Sequence, residues 1–543
     1  MLTTLLSPPP LLPLGLFLPL ALFAVYLVVF LSRQRRPPDL PSIPIIGSRK
    51  GDLFPLLQAR WRNTRDFKQA LGDAYAQARP VLVPVYGEGD IVILPPAEVK
   101  FVADQPDSVL GFSERAFEIF QVDYTFMDPT IPRVPVHESL LRTKLTPQIG
   151  ALVAGMAEET AWALRAHWGD ADGGEWHEVC VFDTIRHIVG GVANRAFVGL
   201  PFCRDPDLVN SGMAFAVDIP LSSTVIKLVP KPLRPVLAPL ITLPNRLHTW
   251  RFRKILVAEI DRRLREYETR QSNSSSEDGN NVSGEAGTEP NDFLQWSIQQ
   301  AKAMGDPYMW RSATLADRIL VVNFAAIHTT SFTLTEALLD LVSSRSEHLE
   351  AIRDEVRSVL AAHDGQWSKR VLAQLDKLDS AIRESARFSS IVSAGLGRTV
   401  VAADGLTTPS GVHLPRGTKV SVPAYHIMRQ ETVYAAAETF TPFRFADRRN
   451  SADTDYVGRA RNALPTTSHD FLAFGYGKHS CPGRFFAAAE LKLILANMLL
   501  MYDFEMLSKK PEGSWFGVTK VPPLKATIRV KRREELPCQQ QDN

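Results

Sequence analysis

The stretch "FLAFGYGKHSCPGRFF", residues 471 to 486, sets three glycines around a lone cysteine just before "RFFAAAELKLILANMLLMY", an apolar run that reads as a helix. Gly475, Gly477 and Gly483 let the backbone turn tightly and approach another object closely, and Pro482 suits the first residue of a helix. Cys481 is thereby expected at a helix N-terminus, where free N–H groups and the helix dipole favour thiolate over thiol. Three uses fit such a sulfur: a metal ligand, which a donor-lined thiolate suits; a nucleophile, whose partner base must lie elsewhere; or a buried structural thiol. A dinucleotide loop is excluded, because Ser480 stands at the third glycine of G-x-G-x-x-G.

A second feature lies at the other end. Leu11 to Leu31, "LLPLGLFLPLALFAVYLVVFL", carries no charge and reaches the roughly 20 residues needed to cross a bilayer. It is longer than the apolar core of a signal peptide, and no basic residue precedes it. Arg33, Arg35 and Arg36 follow, which by the positive-inside rule places the rest of the chain in the cytosol. Residues 1–36 therefore read as one N-terminal transmembrane helix with a basic stop. Residues 37–47 read as a proline-rich hinge, stiff and extended because proline fixes φ and lacks an N–H.

With 543 residues, a net charge of +2 and 45% hydrophobic content, the chain can bury a large core and has no electrostatic footprint for nucleic acid. Its four cysteines, Cys180, Cys203, Cys481 and Cys538, show neither C-x-x-C nor zinc-ligand spacing. That fits a reducing compartment and no disulfide framework. Strand-like runs at 80–95 give way to helical patterns from about Val99 to Arg387, and short strands resume at Ser389. Residues 271–292, "QSNSSSEDGNNVSGEAGTEPND", are too poor in apolar groups to fold and are expected to be a disordered insertion. No second linker appears, so 48–530 is expected to form one catalytic domain, followed by a polar tail at 531–543.

Phe474, Gly477, Cys481 and Gly483 match F-x-x-G-x-x-x-C-x-G, and the fuller "FGYGKHSCPGRFFA" resembles the haem-binding signature of the cytochrome P-450 haem-thiolate monooxygenases, fungal membrane-bound (microsomal) branch. The resemblance implies a mainly α fold, a triangular helical domain with a small β region, and haem b (iron protoporphyrin IX) as cofactor. It makes Cys481 the proximal iron ligand, whose electron donation favours O–O cleavage. Phe474, Gly475, Gly477 and Gly483 become its cradle, and His479 falls where the family places a propionate-contacting basic residue.

Three further stretches follow the family's order. "ESAR" matches E-x-x-R, an i,i+3 pair on one helix face, and with "FTPFRF" at 440–445 it implies a buried Glu384, Arg387 and Arg444 network behind the haem. Phe443 replaces that segment's usual glutamate. The long apolar helix at 315–342 resembles the oxygen-binding helix through Ala325, Ile327, Thr329 and Thr330, but Ala326 stands for a glycine and His328 for the acid. Its hydroxyls can bond carbonyls one turn back and bend the helix, opening a groove. Thr329, His328 and Thr330 are the expected proton-handling residues, since a histidine can relay protons but with different charge from a carboxylate. In "HESLLRTKLTP", Arg142 takes a propionate-contacting position while Glu138 replaces the expected tryptophan; Arg398 is a second propionate candidate.

The resemblance implies hydroxylation or oxidation by O2, with electrons from a separate NADPH-cytochrome P-450 reductase that Lys478 helps dock, at the endoplasmic reticulum membrane with the catalytic domain cytosolic. Two other classes stay open, a haem-thiolate isomerase or dehydratase and a non-enzymatic haem sensor or electron carrier. The expected pocket is lined by Phe112, Phe117, Phe120, Tyr124, Phe126, Ala325, Val392 and Phe516. An aromatic, apolar wall of this kind accepts bulky lipophilic molecules, here expected to be a terpenoid of fungal secondary metabolism. The segment "VIKLVPKPLRPVLAPLITLP", 225–244, reads either as a second membrane-touching loop or as a buried connection.

Overall fold

The computed structural model describes residues 43–169, 174–275, 289–451 and 455–533. The expected transmembrane helix and most of the hinge lie outside the described residues, as do the middle of 271–292 and most of the tail.

The helix Ser312–Val342 is buried from Thr314 to Asn323 and again from Leu334 to Val342, and opens only in its middle, where Ala325 and Thr329 are exposed. A helix apolar on every side belongs inside a large core. Around it pack the helices Val181–Phe197, Pro206–Leu228, Leu243–Ser275, Asp376–Phe388 and Arg484–Met501. Among the described residues one helix, Pro206–Leu228, is long and apolar enough to cross a membrane. Its packing against the central helix and Leu243–Ser275 shows what that apolarity serves here.

A smaller β region closes one side. Five strands run in the order Val81–Val85, Gly89–Ile93, Lys419–Val422, Gly395–Val400, Leu110–Gly111, antiparallel except for the second pair. The described end of the hinge joins it, with Ile46 donating to the Leu82 carbonyl at 2.9 Å. A second sheet pairs His177–Cys180 and Tyr502–Phe504 with Thr527–Arg532, so ordered structure continues past residue 530.

The expected disorder at 271–292 needs correction at both edges. Leu243–Ser275 carries helix into its first residues, and Asp292 caps Phe293–Ala303 by accepting the Gln295 N–H at 2.8 Å. Arg263 Nη1 reaches both Asp292 oxygens, at 2.7 and 2.8 Å. A charged cap held by a buried guanidinium outweighs the local polarity of the sequence.

Candidate active site

The cysteine loop is built on hydrogen bonds that its glycines permit. The Cys481 N–H donates to the Phe474 carbonyl at 2.8 Å, and the Gly475 N–H to Leu472 at 2.9 Å. Gly475 and Gly477 sit at φ +71° and +75°, the left-handed region, and a Cβ on Gly477 would come 3.0 Å from that of Ala103. A Cβ on Gly483 would meet nothing within 4 Å, so the loop is open on that side. The helix begins at Arg484, which puts Pro482 in the preceding turn instead of at the first helical position. The Gly483 and Arg484 N–H groups reach the sulfur. The expected preference for thiolate is nevertheless corrected: burial pushes the Cys481 thiol up, and those N–H groups together with the Arg484 and Arg142 guanidiniums do not offset it.

Beside the loop, Arg398 is buried, donates to its neighbour's carbonyl, Gly397, at 2.8 Å, and makes no ion pair among the described residues. Burial pulls it down to about 10. Its guanidinium lies 5.1 Å from the centre of the Phe112 ring, and that ring stacks on His479 at 4.7 Å. Phe112 thus sits between the Arg398 guanidinium and the His479 ring and not in an apolar wall. His479 Nε2 meets Asp107 at 2.5 Å and Lys478 Nζ meets the same carboxylate at 2.8 Å. Arg142 is exposed, in the π-turn Leu141–Leu145, and donates to the Lys478 carbonyl at 3.3 Å.

On the central helix Thr329 Oγ1 donates to the Ala325 carbonyl at 2.9 Å, which ties the hydroxyl to the exposed gap. His328 turns elsewhere. Its ring packs edge-on to Phe332 at 6.1 Å, both nitrogens are buried without partners, and burial together with Arg186 holds it down near pKa 4. Thr330 is buried on another side, against Glu490 of the cysteine helix. Glu490 was not anticipated. It is fully buried, Thr330 is the one side chain whose hydroxyl acts on it, neither oxygen finds a partner in hydrogen-bond geometry, and burial pushes it up to about 8. Its only trace in the sequence is a lone acid inside an otherwise apolar helix.

Glu384, Arg387 and Arg444 meet behind the loop. Arg387 Nη2 and Nε donate to the two Glu384 oxygens at 2.8 Å each, and Arg444 Nε reaches both at 3.1 Å. Arg387 also donates to the Met428 and Ala437 carbonyls at 2.9 Å.

Of the expected pocket residues, Phe120 and Phe126 come together through a ring that sequence reasoning passed over. Phe324 meets Phe120 at 5.2 Å and Phe126 at 6.3 Å, both edge-on. Phe117 lies under Arg133 at 5.1 Å, Tyr124 is half-buried, and Phe516 belongs to Ser514–Phe516, its side chain outside the described residues. Val392 lines a cavity between Thr333 of the central helix and Phe474 of the cysteine loop, with Glu336, Ser389 and Ala473.

These residues fit a haem. Among the described residues no group of three or more His, Cys, Asp or Glu could hold a metal ion, so iron at Cys481 must bring its own ligands, as a porphyrin does. Arg398, buried with no direct ion pair among the described residues and only the more distant Asp107 carboxylate acting on it, suits a propionate. The comparisons agree: residues 221–526 match the Cytochrome P-450 family. Cytochrome P-450 monooxygenase gloP of Glarea lozoyensis is 30% identical over 89% of each chain. Cytochrome P-450 monooxygenase 71 of Postia placenta is 31% identical, covering 95% of this chain and 97% of its own. The astC monooxygenase of Aspergillus terreus is 28% identical over 91% of this chain. The chain belongs to the cytochrome P-450 family and is a haem-thiolate monooxygenase.

Proposed function

We propose that this enzyme inserts one oxygen atom into a bulky lipophilic molecule, a terpenoid of fungal secondary metabolism, while anchored in the endoplasmic reticulum membrane with its catalytic domain in the cytosol. Haem b, when bound, supplies the iron chemistry that activates O2. The balance is RH plus O2, two electrons and two protons giving ROH and water, the electrons coming from a separate NADPH-cytochrome P-450 reductase. Cys481 would hold the iron, Arg398 and Arg142 the propionates, and Thr329 a proton donor at the open gap. His479 would reach a propionate only by sharing its ring with Asp107.

The observation that carries the reading is the sole exposed gap in the buried central helix, at Ala325 and Thr329, flanked by the Phe120, Phe126 and Phe324 rings. An aromatic wall beside one hydroxyl favours a large apolar substrate over a polar one. The membrane reading is supported by Leu11–Leu31 and by the 225–244 segment, where Val236 and Leu240 are 68% and 63% exposed.

The test is turnover by the purified enzyme, with reductase, NADPH and O2, against a panel of lipophilic terpenoids. Product carrying label from 18O2 is the expected result; turnover without O2 or NADPH would move the enzyme to the isomerase class. Cys481→Ser should abolish the thiolate-type band of the reduced, CO-treated protein. Retention of that band would overturn the assignment of the ligand.

A further inference from the structure

Two carboxylates, Glu336 and Asp340, lie one turn apart on the central helix and are both 3% exposed. Like charges at this spacing repel, and burial sharpens the cost. Their counter-charges come from the C-terminal segment. Lys510 Nζ lies 2.5 Å from Glu336 Oε2 and 2.6 Å from Asp340 Oδ1, and Lys520 Nζ lies 3.4 Å from Glu336 Oε1.

The lysines grip a third element as well. Lys510 donates to Ser389 Oγ at 2.6 Å and Lys520 to the Ser389 carbonyl at 3.0 Å. Ser389 Oγ and Ser385 Oγ donate onward to Asp340, at 3.1 and 2.6 Å. Ser393 Oγ closes the far end by donating to the Val518 carbonyl. Residues 389–393 are thus held between the carboxylates and the strands Ser514–Phe516 and Thr519–Val521. Ser389, Ser390, Ile391 and Val392 also line the cavity that Thr333 and Phe474 share. Surface pairs nearby, such as Lys509 with Glu512, are 81% exposed at both partners and position nothing.

We propose that Lys510 and Lys520, through Glu336 and Asp340, are positioning residues that set where segment 389–393 stands in the cavity wall and so determine which substrate shapes the site accepts. A buried ion cluster adds little stability over apolar groups of the same size, but it fixes one geometry. Beyond these, the segment is held by the Ser389 N–H on the Ser385 carbonyl at 2.7 Å, the Tyr425 N–H on the Ser393 carbonyl at 2.9 Å, and the Ser390 hydroxyl within its own turn. The proposal rests on the haem-thiolate reading, and its test includes a readout independent of haem.

Full-length, haem-loaded Lys510→Met and Lys510→Arg are compared with wild type by hydrogen exchange over 389–393 and by spectral titration with imidazole and 4-phenylimidazole. In Lys510→Met, exchange over this segment should rise by about tenfold. The ratio of the two ligand dissociation constants should move by about fivefold, the small imidazole being little affected. Lys510→Arg, which keeps charge and reach, should restore both. If Lys510→Met loads no haem, the charge-balanced pair Lys520→Met with Glu336→Gln carries the same measurements. Unchanged exchange and an unchanged ratio in a haem-loaded variant would overturn the proposal. A wild type lacking the thiolate CO band would instead overturn the haem reading, with the exchange result left standing.

Discussion

Thr329 and His328 are neighbours in the chain, yet a helix turns about 100° per residue and sends them to different surroundings. Thr329 faces the gap with its hydroxyl tied to Ala325, and His328 lies behind the helix as a neutral imidazole. Thr329→Ala should keep haem and still oxidise NADPH, but product formed per NADPH should fall by a factor of about 10 or more, with hydrogen peroxide released. His328 titrates near 4, so no pH step between 6 and 8 is assigned to it. If its neutral ring passes protons, His328→Leu slows product formation and His328→Asp recovers it; a His328→Leu enzyme with wild-type rate and coupling would make the ring a packing group. Glu490 has the opposite sign of effect. Its pKa is raised to about 8 from an ordinary 4.5, so the folded state binds the extra proton, and stability falls as pH rises from about 4.5 to 8. Glu490→Gln removes that dependence. Melting temperatures across pH 5 to 9 should therefore decline less in the variant than in wild type, and parallel curves would refute the buried-acid account.

At the scale of elements, the helix Asp376–Phe388 holds its charge by reciprocity. Glu384 accepts from two guanidiniums that pair with no other carboxylate among the described residues, and Arg387 is also spent on the Met428 and Ala437 carbonyls. Glu384→Ala leaves both cations buried and unpaired, at a cost of about 3 to 5 kcal/mol. The expected outcome is a strong loss of haem-loaded protein, measured as the CO band per milligram, and a normal yield would contradict the network. Glu384 and Arg387 were legible as an i,i+3 pair. The carbonyls they organise, some 40 to 50 residues further on, were not, because nothing in local periodicity reports a long-range backbone acceptor.

For the molecule as a whole, the exposed apolar groups are concentrated in one region. Leu221, Val225, Leu228, Leu233, Val236 and Leu240 all stand out of the Pro206–Leu228 and Arg234–Ile241 helices and the turn between them, with Lys231 among them. An exposed patch of this kind marks a contact with lipid or protein, and the buried-connection reading of 225–244 does not account for it. Deleting residues 1–36 should release part of the protein from membranes while sparing the haem spectrum. Adding Leu233→Ser, Val236→Ser and Leu240→Ser should complete the release, as seen by vesicle flotation. Full solubility of the simple truncation would show that the patch meets no lipid.

What the sequence determined by itself was local. A glycine's sign of φ, an i,i+3 charge pair and the apolar continuity of a core helix depend on a handful of adjacent residues, so the Cys481 loop, the Glu384 and Arg387 pair and the Ser312–Val342 helix could be read directly. Only the tertiary structure decided how those pieces face and what charge they carry. Burial turned the Cys481 preference from thiolate to thiol, drew Phe112 onto His479 and Arg398, and made Glu490 an acid that stays protonated. It also brought Lys510 and Lys520 to Glu336 and Asp340 across some 170 residues of chain. Desolvation and long-range pairing act through space, and spacing along the chain carries no record of either.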